Sequence, residues 1–153
     1  SSTPANRVTE SELIDRVAAA FGIQDWPVAA VKAYVGHSLA PASADQLVAA
    51  LGTFRYGIIP GIKTIDRVAD DVHQHHLRIA TSDLRLGEQS MDVCFLNSKG
   101  FGGNNASAYV LAPHVVERML RKRHGEAAFN DYLSRREATR AAAPTGCQLL
   151  RLA

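Results

Sequence analysis

Cysteine is scarce in this chain of 153 residues: only Cys94 and Cys147 occur. They lie far apart with no metal-type spacing, which excludes a disulfide scaffold and a zinc site of the paired-cysteine kind. A reducing cytoplasm is the compartment expected. No apolar run approaches the ~20 residues of a membrane span, and the opening "SSTPANRVTESE" lacks the charged and apolar regions of a signal peptide. An excess of one charge is missing too. Seventeen Lys and Arg against fifteen Asp and Glu leave +2, with signs too evenly mixed to attract nucleic acid or an anionic membrane. Repeats and low-complexity linkers are absent. What the chain does have is 46% hydrophobic residues, enough for a core of its own.

Hydrophobic periodicity orders the chain into alternating helices and strands. Thr9 with Glu12 reads as a capping box before Leu13, Val17 and Phe21, which predicts an amphipathic helix over 10–21. "WPVAAV", Trp26 to Val31, reads as a buried strand that delivers Lys32 at its end. Ser43 with Gln46 is a second capping box, with Leu47, Val48, Leu51 and Phe54 as one apolar face and Gly57 as the stop. "GIIPGI", from Gly57, reads as a turn or extended crossing, and "HLRIAT", from His76, as a strand. "MDVCFLNS" and "ASAYVLA" on either side of "KGFGGNN" predict a hairpin over 91–112. From Pro113 the chain turns helical and charged, with Gly125 as a break between two helices.

Two stretches could carry chemistry. "NSKGFGGNNAS" holds three glycines around Phe101, which permits unusual backbone angles and close approach of N–H groups to a ligand. A strand rather than a helix follows it, so it is no dinucleotide fingerprint, and it lacks the Gly-Lys-Ser/Thr ending of a phosphate loop. "VKAYVGHSLA" sets Lys32 and His37 among apolar and small residues. A poorly solvated setting would lower both pKa values and favour a neutral imidazole, able to donate one hydrogen bond to a developing oxyanion. A core histidine satisfied by backbone is the competing reading.

The combination is more specific. "KAYVGHSLA", a helix, "GIIPG" and then "NSKGFGGNNA" resembles, in order and over about Ser2 to Leu111, the later part of the β-ketoacyl-acyl carrier protein synthases, condensing enzymes of thiolase-like fold. "STPANRVTES" resembles the segment directly after their first active-site histidine. The resemblance implies an α/β fold, the C-terminal half of a thiolase-like architecture with a mixed sheet flanked by helices. It divides the chain into a half-domain over 1–112 and an added helical segment over 113–153.

Position by position, the resemblance implies that His37 is the second active-site histidine, which hydrogen-bonds the malonyl thioester and stabilises the enolate left by decarboxylation. Lys32 matches the lysine that shapes the site's electrostatics. Gly100, Phe101, Gly102 and Gly103 match the gate loop, in which the phenylalanine's N–H completes an oxyanion hole. Thr3 matches a threonine that binds the phosphopantetheine arm. No metal or cofactor is expected, since phosphopantetheine arrives on the substrate. The expected partners are acyl carrier protein, the N-terminal half of the enzyme and, at full length, a second copy in a homodimer. Gln46 stands where many members carry a glutamate that pairs with the lysine, and Lys99 where a phenylalanine is common, which marks a divergent branch. The nucleophilic cysteine and first histidine of the family pattern are not among these residues, so this stretch alone is expected to be inactive. A non-catalytic module that binds the carrier or another partner is the alternative.

The remaining features have plainer readings. Cys94 is expected in the core and Cys147 in a tail, while His73, His75 and His76 are expected to be solvated. The basic run "RMLRKRH", from Arg118, fits a solvated helix face or a dock for an acidic carrier. If a further half of the enzyme covers this stretch, an apolar surface should stand exposed on it.

Overall fold

The computed structural model describes residues 3–100 and 102–150, with side chains through 143. The chain forms two compact units, Ser1–Ala112 and Pro113–Ala153.

The first unit opens with helix α1, Pro4–Ala20. Proline at the first helical position has φ already set and an N–H that would have been orphaned anyway, so the helix starts well before Glu10. The Thr9–Glu12 capping box does not form: Thr9 is internal, and its hydroxyl donates to the Ala5 carbonyl at 2.8 Å. The buried face also differs from expectation. Leu13, Val17 and Phe21 are exposed, whereas Ser11, Asp15 and Ala18 are buried.

The reason lies in the loop that α1 touches. That loop carries backbone N–H groups needing acceptors, and a buried N–H without one is costly. Arg7, Ser11 and Asp15, one helical turn apart, all serve it. Arg7 makes a two-pronged ion pair with Asp71 at 2.9 and 2.5 Å, Ser11 Oγ accepts from the His73 N–H at 3.1 Å, and Asp15 Oδ1 accepts from the His76 N–H at 2.7 Å. Polar chemistry therefore outcompetes the apolar stripe for this side of the helix.

Strand β1, Trp26–Pro27, pairs in parallel with β3, Leu77–Arg78. The pairing is shorter than the strand expected over Trp26–Val31. Trp26 and Val28 donate to the carbonyls of His76 and Arg78 at 2.8 and 3.0 Å, so Pro27 occupies the position between them that needs no donor. The chain then winds into the single turn α2, Lys32–Val35, and helix α3, Ala42–Tyr56. Pro41 takes the cap position of α3 and no side chain caps it, so the Ser43–Gln46 box is not formed either. Of the expected apolar face only Phe54 is buried; Leu47, Val48 and Leu51 are exposed and Ala42 and Ala50 fill the contact.

Gly57 ends α3 as expected, in the left-handed region with φ 63°. A side chain there would also collide with the Gly87 backbone, its Cβ falling 2.1 Å from the carbonyl carbon. Ile58–Ile59 is a short strand, β2, rather than a bare crossing, and pairs antiparallel with β4, Leu84–Arg85. Strands β5, Val93–Lys99, and β6, Asn105–Leu111, form the expected hairpin, in register from Val93 opposite Leu111 to Lys99 opposite Asn105. Among the described residues parallel and antiparallel pairs thus coexist, in three ladders.

The second unit is helix α4, Pro113–Leu150, interrupted at Gly125, whose φ of 81° and ψ of 161° are not helical. Across that break the Arg121 guanidinium pairs with Glu126 and lies 4.3 Å from the centroid of the buried Phe129 ring. No helix among the described residues is long and apolar enough to cross a membrane.

Candidate active site

The histidine loop, residues 36–41, lies between α2 and α3. Gly36 closes α2 with φ 73° and its N–H on the Lys32 carbonyl at 3.0 Å. Leu39 stands in the left-handed region as well, at φ 64°. That is a strained conformation for a branched side chain, and such strain persists only where surrounding contacts hold it. Two contacts do so. The Leu39 N–H donates to His37 Nδ1 at 3.2 Å, and the Ser38 hydroxyl hydrogen-bonds to Asp45 Oδ2 in the first turn of α3. Because Nδ1 accepts, a neutral His37 ring holds its proton on Nε2, the nitrogen left to donate outward.

Lys32 and His37 are both exposed in this chain. This corrects the dry setting read from their apolar neighbours: Tyr34, Val35 and Leu39 are exposed with them. Lys32 also stands not at a strand end but at the start of α2, because the two-residue ladder of β1 runs out of partner first. What fixes α2 in place is Tyr34, whose hydroxyl donates to the Gly61 carbonyl and accepts from the Lys63 N–H at 3.2 Å. Gly61 must itself be glycine for a different neighbour, since a Cβ there would fall 2.3 Å from the Ser82 backbone. Lys63 in turn pairs with Asp83 at 2.8 Å, which raises the lysine's pKa and lowers the carboxylate's.

The glycine loop caps the β5–β6 hairpin. The Gly100 N–H donates to the Asn104 carbonyl at 2.7 Å. Gly102 and Gly103 have φ of 82° and 84°, and a Cβ on either would meet nothing within 4 Å. Phe101 lies outside the described residues. Thr3 is exposed, extended at φ −123° and ψ 144°, and its side chain makes no capping bond to α1.

The structure adds residues that the sequence did not single out. Asn97, in β5 just before the glycine loop, donates to Glu10 Oε1 of α1 at 3.1 Å and accepts from the Ser107 hydroxyl of β6 at 3.3 Å. Its backbone carbonyl receives the Gln46 side-chain amide of α3 at 3.4 Å. Gln46 thus reaches the strand leading into the glycine loop. No local pattern announces such a meeting, because its partners are far apart in sequence. Beside it, an open apolar cavity of about 200 Å³ is lined by Leu13, Val17, Trp26 and Phe95, with Asn97 at its edge.

Among the other candidates, Cys94 is half-buried, and burial pushes its thiol pKa up. Cys147 lies where side chains are not described. His76 is not solvated as expected: it is half-buried, with Nδ1 3.3 Å from Asp15 Oδ2. The His76 backbone N–H is the main cause that holds the Asp15 carboxyl below the usual carboxylate range. No cluster of three or more His, Cys, Asp or Glu suited to a metal occurs among the described residues.

No family model matches the chain. Over 143 residues, 94% of its length, it is 71% identical to the curated β-ketoacyl-[acyl-carrier-protein] synthase FabY of Pseudomonas aeruginosa, and the match covers 22% of that protein. It is 27% identical over 128 residues to the highly reducing polyketide synthase easB of Emericella nidulans, covering 80% of this chain and 5% of that one. The crystal structure of the noncanonical ketosynthase FabY from P. aeruginosa superposes with a TM-score of 0.89 at 70% identity, over 95% of this chain and 22% of the other. The chain therefore spans about a fifth of the length of FabY and shares the α/β fold of that portion.

Proposed function

We propose that this chain is a segment of a β-ketoacyl-acyl carrier protein synthase, as its 71% identity to FabY over 94% of its length supports, and that it supplies the decarboxylation and gating part of a condensing site, with acyl carrier protein as the substrate-bearing partner. The reaction is a decarboxylative Claisen condensation. The C–C bond to the malonyl carboxylate breaks, carbon dioxide leaves, and its electron pair passes into the thioester as an enolate. The enolate carbon then attacks the acyl-enzyme thioester on the family's nucleophilic cysteine, a C–C bond forms, and the cysteine thiolate departs.

Negative charge appears on two oxygens in turn, and each needs a donor fixed in advance. His37 Nε2–H serves the first. The observation that carries this assignment is the Leu39 N–H on Nδ1, which selects the tautomer able to donate without a cationic ring. The N–H of Phe101 in the glycine loop serves the second oxygen. Lys32, four residues and one helical turn before the histidine loop, contributes positive potential. Thr3 offers its uncapped hydroxyl to the phosphopantetheine arm. Neither metal nor nucleotide enters this scheme, and a homodimer is the proposed full-length assembly.

The test is His37→Ala in the full-length synthase. Malonyl decarboxylation, followed as carbon dioxide release, should fall about 10²- to 10³-fold, the loss typical of one oxyanion donor, while acylation of the nucleophile persists. Normal condensation by the variant would refute the assignment. Retained carrier binding without turnover in the parent protein would instead leave a binding module.

A further inference from the structure

We infer that Asp45 and Gln46, adjacent in the first turn of α3, are positioning residues that couple the histidine loop to the glycine loop. The inference rests on the functional reading above but concerns neither of its donors directly. Asp45 holds the Ser38 hydroxyl, next to His37. Gln46 holds the Asn97 carbonyl at 3.4 Å, in the strand that enters the glycine loop after Lys99. The two grips face different elements from consecutive positions on one rigid helical turn.

Three features make that turn a coupling element rather than two unrelated contacts. A helix's first turn is a stiff unit, and here it is anchored by the Ala44 and Asp45 N–H groups on the Pro41 carbonyl at 2.8 and 3.2 Å. Asn97 is itself held from two further sides, by Glu10 at 3.1 Å and by Ser107 at 3.3 Å. A displacement of β5 at Asn97 therefore pulls on Gln46 instead of being absorbed by a loose side chain. On the other side, Leu39 is held at φ 64°, and strained backbone of this kind returns to an ordinary conformation when a restraint is lost. A shift of the α3 turn relative to Ser38 would thus release the Leu39 N–H from His37 Nδ1 and free the ring to rotate. The chemistry gives such coupling a use: the two oxyanions form in sequence, so the enolate donor should be in place only with the gate positioned for the acyl-enzyme.

Glutamine is the suitable residue at position 46 because the partner is a carbonyl oxygen, which accepts only. A carboxylate there would repel it.

The experiment uses the full-length synthase with Gln46→Leu, Gln46→Glu and Asp45→Ala, each assayed separately for acylation of the nucleophile and for malonyl decarboxylation. Thermal unfolding of each variant verifies folding. Gln46→Leu and Gln46→Glu touch only the glycine-loop side, yet both should lower decarboxylation about tenfold, and Asp45→Ala should slow acylation by a similar factor. The Asp45→Ala, Gln46→Leu double variant should lose no more than about the larger single effect, the non-additivity expected of one unit. Effects confined to each residue's own side, or full additivity, would overturn the coupling. His37→Ala, run in parallel, separates the two ideas. If it retains decarboxylation, the functional reading fails and the inference falls with it. If it loses decarboxylation while Gln46→Leu keeps it, the coupling alone fails.

Discussion

The histidine loop and the glycine loop both depend on left-handed backbone, yet they are built in opposite ways. In the first, Leu39 is at φ 64° with its N–H on the His37 ring and the preceding Ser38 tied to Asp45. In the second, Gly102 and Gly103 adopt φ of 82° and 84° at no steric cost, and added side chains would find open space. One loop is pinned by side chains; the other is built from residues that adopt its backbone without restraint. The proposed roles fit that difference, an enolate donor on the first and a gate on the second.

Substitutions can break this comparison. The largest effect is expected from Gly102→Ala with Gly103→Ala, since each L-residue in the left-handed region costs about 1–2 kcal/mol. Acyl transfer by the full-length synthase should slow by at least about tenfold. Unchanged acyl transfer would show that the glycine loop needs no special backbone and would erase the contrast. Next, Ser38→Ala removes a hydrogen bond to a carboxylate, of the kind worth about 1.5–3 kcal/mol, and should reduce decarboxylation about tenfold. A variant as fast as the parent would mean that the loop is held by something other than Ser38.

Leu39→Gly sharpens the contrast from the opposite direction. Relief of the strained φ should stabilise the protein by about 1 kcal/mol, visible as a higher thermal midpoint, while decarboxylation falls a few-fold because the loop now resembles a gate. A gain in both would contradict the fixed-ring role. The smallest effect lies outside both loops and serves as a reference. Asp15 has its pKa lowered by the His76 N–H, so the carboxylate's contribution is complete above the unfolded value, about pH 3.9, and is lost as pH falls through the lower folded value. In Asp15→Asn the acid limb of a stability–pH profile should flatten, with activity near neutrality intact.

How legible these features were in sequence depends on the range of the interactions that fix them. The β5–β6 hairpin, the stop at Gly57 and the break at Gly125 follow from local turn chemistry and were readable from a few residues each. The spacing of Lys32 and His37 together with the glycine loop carried the resemblance that the FabY comparisons match. The buried face of α1 was not readable, because Ser11 and Asp15 are drawn inward by backbone N–H groups at His73 and His76, which no helical periodicity reveals. Both capping boxes misled for a simpler reason: prolines at 4 and 41 set the helix starts before the boxes could act. The exposure of Lys32 and His37 escaped sequence reading because apolar neighbours signal burial only if those neighbours are themselves covered.

The outward apolar faces of α1 and α3 have a practical consequence. Leu13, Val17, Phe21, Val48 and Leu51 stand in water on this stretch, and such surface is colloidally sticky. Made by itself, the stretch should sediment as a concentration-dependent mixture of sizes. Sulfate salts, by strengthening apolar association, should drive it out of solution sooner than a charge-covered protein of similar mass.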